Sequence, residues 1–124
     1  MSGQNEININ YLQRLVLQES ENDAIQQISS NLYNSISEFL KNLKNEKQDG
    51  IEEKINQTMI DMVSDTTSIL LKLRLEKATL RNSNHSVLLD EEKYILNARA
   101  EMTERRETIL SGILKGEPHN LDTQ

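Results

Sequence analysis

Residues Asp49 to Arg81 read DGIEEKINQTMIDMVSDTTSILLKLRLEKATLR, with a single glycine near the start and no proline. Apolar side chains return at Ile51, Ile55, Met59, Met62, Val63, Ile69, Leu70 and Leu73, with Thr66 in the same series. Returns at three and four residues describe one face of a helix. Asp49 stands where a helix cap is wanted, and Glu52 and Glu53 fall in the first turn, where the helix dipole favours acids. Carried to Arg81, this helix is roughly 45–50 Å long at ~1.5 Å per residue. A folded chain of about 100 residues has a radius of gyration near 13 Å. Such a rod is expected to project beyond its own globule or to pack along a partner.

Working outward, the neighbouring segments are helical as well. Tyr11, Leu12, Leu15 and Val16 share one face of a short helix that fades in the polar run Glu19 to Asp23. Ile25 and Ile28 lead to Ser29 or Ser30 as the expected cap of a second helix. There Leu32, Ile36, Phe39, Leu40 and Leu43 recur at i, i+4, i+7, i+8 and i+11, flanked by Tyr33. Beyond the long helix, Asn82 to Ser86 reads as a loop. Asp90 is the expected cap of a last helix whose stripe is Tyr94 or Ile95, Ala98, Met102, Ile109, Leu110, Ile113 and Leu114. Gly116 and Pro118 supply a stop. The expectation is an all-α bundle of about four to five helices with one long central helix. It forms an interaction domain over residues 1–116 and carries a polar tail or linker over 117–124.

Composition agrees. Four glycines and one proline in 124 residues are too few for the turns of a sheet protein. The net charge of −6 argues against strong direct binding to nucleic acid, whose affinity comes from neutralised phosphates. Absence of cysteine removes disulfides, thiolate chemistry and cysteine-ligated zinc. No segment has the roughly 20 apolar residues of a membrane span, and the polar start from Met1 to Asn10 is not a secretory signal. A cytoplasmic protein without membrane attachment is expected.

Catalytic patterns are absent from the sequence. The glycines are isolated, so no phosphate loop is formed. His85 lies in a loop and His119 in the tail, where a general base lacks a rigid neighbourhood. Asp61 and Asp65 stand one turn apart, yet no third ligand accompanies them, and exposed acids of this kind are ordinarily solvated. Glu91 and Glu92, like Glu52 and Glu53, are explained by a first helical turn. Met59, Met62 and Met102 fall at core spacing. No metal, cofactor or catalytic residue is expected, and the chain is read as a non-enzyme. One charged feature stands out: Arg74, Lys77 and Arg81 at i, i+3 and i+7, with Lys72 nearby. They read either as an outward docking ridge for an acidic partner or a nucleic-acid backbone, or as solvated cations at a helix C-terminus. The expected contact set is Ile69, Leu70 and Leu73 with Arg74, Lys77 and Arg81.

Three stretches, taken in order, resemble the helical domain of archaeal GINS subunits. The first is the opening helix 11–16 followed by 28–36, with Leu32-Tyr33 where the family often has Phe-Tyr. The second is Ile69 to Ala78, similar to the basic end of the family's central helix, with Arg74 and Lys77 at the basic positions. The third is Leu88 to Tyr94, in which Leu89, Glu91, Glu92, Lys93 and Tyr94 resemble the family's start of the last helix. The resemblance covers residues 8–114 and is to the subunit type whose helical domain comes first. The small β domain that follows it in that type is expected to be missing here.

That resemblance implies a non-catalytic scaffold in DNA replication. It implies a homo- or hetero-tetramer of GINS subunits joined to the MCM helicase and a RecJ-like protein, with chromosome association through those partners. Two competitors remain. One is an unrelated all-α regulatory or assembly protein. The other is a small helical enzyme of the chorismate mutase type, which requires Arg74, Lys77 and Arg81 to converge on an enclosed cavity.

Overall fold

A computed structural model describes residues 6–47 and 49–117. It holds four α-helices: α1 (Ile9–Glu21), α2 (Leu32–Asn45), α3 (Gly50–Ala78) and α4 (Asp90–Leu114), with a 3-10 turn at His85–Val87. No strand occurs among the described residues. The all-α fold with one dominant helix is as expected. Its chain divides into two units, Met1–Asp90 and Glu91–Gln124.

In the first unit, α1 and α2 both pack on α3. Leu12 and Leu15 of α1, Leu32 and Ile36 of α2, and Val63 and Leu70 of α3 form one buried cluster joined by Leu89. Tyr11, Val16, Ile28, Tyr33, Phe39, Leu40 and Met59 pack around it while remaining partly exposed. The helices start and stop for identifiable reasons, several of which differ from expectation. α1 is capped by Asn8, whose Oδ1 accepts from the Tyr11 amide at 2.8 Å. Replacing Asn8 with Ala should cost about 1 kcal/mol of unfolding free energy, and a urea titration of the two proteins measures it.

The residue before α2 is Asn31 rather than Ser29 or Ser30, and its side chain makes no capping bond. Ser29 instead hydrogen-bonds the Asn31 side chain. Asp49 precedes α3 without a side-chain cap, and the chain enters through Gly50 at φ +63, a conformation that L side chains avoid.

α3 is 29 residues long, about 43 Å, and stops at Ala78 rather than Arg81. Two side chains from the connector account for the stop. Ser83 Oγ and His85 Nε2 both reach the Ala78 carbonyl, at 3.1 and 2.7 Å, and Asn82 turns the chain with φ 68. His85 is thus solvent-exposed, as its loop position implied, with one ring nitrogen held by the end of α3.

α4, which apart from Asp90 lies in the second unit, has Asp90 as its first residue and not as its cap. The end is as read from the sequence: Gly116 takes φ +73, its amide bonds the Ile113 carbonyl, and the Glu117 amide bonds the Gly112 carbonyl at 2.9 Å. These two bonds satisfy the last carbonyls in a Schellman arrangement. Pro118 and His119 lie outside the described residues.

Candidate functional site

The face of α3 directed at α1 and α2 carries Val63, Leu70, Arg74 and Lys77, at i, i+7, i+11 and i+14. The first two are apolar core. The last two are cations that the same helical rotation carries into the interior. Arg74 has 0% exposure and the Lys77 side chain 13%. Burial of a charge is tolerated only where it is paired and hydrogen-bonded.

Glu19 provides the pairing. Its carboxylate, also at 0% exposure, accepts from Arg74 NH1 at 3.0 Å through Oε1 and from Lys77 Nζ at 2.7 Å through Oε2. Arg74 donates further to the main-chain carbonyls of Gln26 at 2.7 Å and Val87 at 3.2 Å. Lys77 also donates to the Glu19 and Ala24 carbonyls. Its ammonium has three donors, and Glu19 Oε2, Glu19 O and Ala24 O accept them. The Gln26 amide completes the cluster by donating to Glu19 Oε2 at 3.1 Å. Among the described residues no buried side-chain nitrogen or oxygen lacks a partner.

This cluster corrects the expected docking ridge. Arg74 and Lys77 do not face outward, and Leu70 is fully buried. Their role is internal: they fasten the end of α1, the connector between α1 and α2, and the turn before α4 onto the last third of α3. Leu73 is half-buried. Of the six expected contact residues, Ile69 (50% exposed) and Arg81 present themselves to solvent. The three cations do not converge as a chorismate-mutase-type site requires, since Arg74 and Lys77 are turned inward and Arg81 outward. Arg74 and Lys77 donate to Glu19 and to main-chain carbonyls, and Arg81 is exposed.

Sequence reading missed Glu19, which sits in a run that looks merely polar. A signal was present: Leu12, Leu15 and Glu19 fall at i, i+3 and i+7, so Glu19 is on the buried face of α1.

The surface tells a second story. The apolar series of α3 was expected to be one buried face. It divides instead into two stripes about 100° apart around the helix. Val63 and Leu70 are inside, whereas Ile51 (75% exposed), Ile55, Met62 and Ile69 form a separate stripe open to solvent. α4 likewise exposes Tyr94, Met102, Leu110, Ile113 and Leu114, so Tyr94 is not part of a buried stripe. Of the remaining residues in the Leu89 to Tyr94 motif, Leu89 and Glu92 are buried, and Glu91 and Lys93 are exposed.

Asp61 and Asp65 are exposed, and Asp61 accepts from Gln57 Nε2 at 3.0 Å. Among the described residues no group of three or more His, Asp or Glu side chains is placed to hold a metal ion. None of the described helices is long and apolar enough to cross a membrane. Comparison with protein-family models finds no match, and comparisons with curated proteins and with solved structures find no significant one.

Proposed function

We propose that this chain is a non-catalytic assembly subunit, and that in its sharper form it is a GINS-type replication scaffold. The observation that carries the assembly reading is the second stripe of α3. Four large apolar side chains at helical spacing over about 27 Å stand open to solvent on the longest helix of the fold. Contiguous exposed apolar surface of this kind marks sites of protein association. The order of segments that resembles the GINS helical domain supports the sharper form. In that form the chain is cytoplasmic, works as part of a homo- or hetero-tetramer, and links the MCM helicase to a RecJ-like protein while contacting DNA through those partners. An unrelated all-α assembly factor is the alternative that shares the first half of this reading.

Two measurements separate them. Light scattering of the purified chain at micromolar concentration should give a dimer or tetramer, and immobilised chain should retain MCM. A monomer throughout sinks the assembly reading. An oligomer that does not retain MCM removes the replication reading and leaves the alternative. The variant Ile55→Asp with Met62→Asp should lose association at least tenfold while its thermal unfolding stays nearly unchanged, because both side chains are already exposed at 59% and 40%.

A further inference from the structure

The exposed stripe of α3 is Ile51, Ile55, Met62 and Ile69, separated by four, seven and seven residues. On α4, read backwards, Ile113, Ile109, Met102 and Ile95 are separated by four, seven and seven residues as well. Each series lies within one face of its helix and spans about 27 Å. Met102 and Ile113 are 67% and 65% exposed, and Ile95 and Ile109 are half-buried.

Laid antiparallel, the two series meet residue for residue. Ile51 faces Ile113, Ile55 faces Ile109, Met62 faces Met102 and Ile69 faces Ile95. In an antiparallel pair each flank of one helix meets the same flank of the other. Asp61 of α3 and Arg105 of α4 lie on that shared flank, two residues out of exact opposition; Asp65 and Glu101 share the flank at the same offset, so one opposite-charge and one like-charge pair meet there and the register rests on the apolar spacing. The loose surface pair that Arg105 makes with Glu101, at 3.9 Å and 80% exposed, holds it only weakly.

Both stripes are solvent-exposed in the single chain. We propose that a second copy supplies the mate: α4 of one protomer lies antiparallel along α3 of its partner, in the register Met62 on Met102, and the exchange is reciprocal. This deepens the assembly reading and rests on it, while depending in no way on a helicase partner.

The natural chain has no cysteine, so single thiols can report the register. A tagged Met62→Cys chain is unfolded and refolded together with an untagged Met102→Cys chain, then oxidised. The expected product is a covalent heterodimer, because a disulfide needs Cα atoms within about 7 Å. Pairing Met62→Cys with Ile113→Cys displaces the thiols by about 16 Å along the helix and should give none. The substitution Asp61→Arg should weaken association roughly tenfold, since two such pairs form per dimer, and adding Arg105→Asp should restore it.

A disulfide closed within one chain by the Met62→Cys, Met102→Cys double variant overturns the exchange, as does equal cross-linking in and out of register. A chain that associates by light scattering yet forms no in-register link overturns this pairing and spares the assembly reading. A chain that remains monomeric overturns both.

Discussion

Glu19→Gln should lower the unfolding free energy by about 3–5 kcal/mol, the loss found when one member of a buried ion pair is removed. The amide preserves the shape of the carboxylate but not its charge. Arg74 and Lys77 then lose the carboxylate that both now contact directly. Domains are commonly stable by only 5–15 kcal/mol, so the variant should be partly unfolded under conditions where the parent is folded. Its melting temperature should fall by at least about 12 °C.

Replacing Glu19, Arg74 and Lys77 together with Leu, Met and Leu should not recover the loss. The part-buried carbonyls of Gln26 and Val87 would lose the Arg74 donors that they now accept from, and an orphaned buried carbonyl costs ~1–3 kcal/mol. Urea titrations of the parent, Glu19→Gln and the triple variant test this. A loss below about 1 kcal/mol in the single variant would mean that the cluster is not what fastens the connector to α3.

Adjacent residues on α3 give the second large contrast. Leu70→Ala should cost about 3 kcal/mol, because Leu70 has 0% exposure within the cluster shared by α1, α2 and α3 and its removal leaves a cavity. Ile69→Ala, one position away and half exposed, should cost well under 1 kcal/mol in unfolding and act instead on association. The pair separates the two stripes by experiment. Equal stability losses in dilute protein would show that α3 has one apolar face rather than two.

The same contrast explains how far the sequence could be read. Four helices were legible because periodicity and the scarcity of glycine and proline are local properties. A turn of helix is closed by residues three and four apart, so its evidence lies within a short window. The C-terminal stop at Gly116 was legible for the same reason. The end of α3 was not, since Ser83 and His85 close it from the connector by bonding the Ala78 carbonyl. In the candidate site, Ile69 was read both into the buried series and into the contact set, and the structure leaves it half exposed. Arg74 and Lys77 were misplaced because helical spacing says which residues share a face and not what the face meets.

By itself the sequence determined an all-α chain dominated by one long helix, with an acidic balance. Tertiary structure alone decided which of the two apolar stripes on α3 is covered and which charges are interior. The reason is that burial depends on the partner surface. Glu19 is 55 residues from Arg74 in the chain, and no window of sequence short enough to read for periodicity contains both.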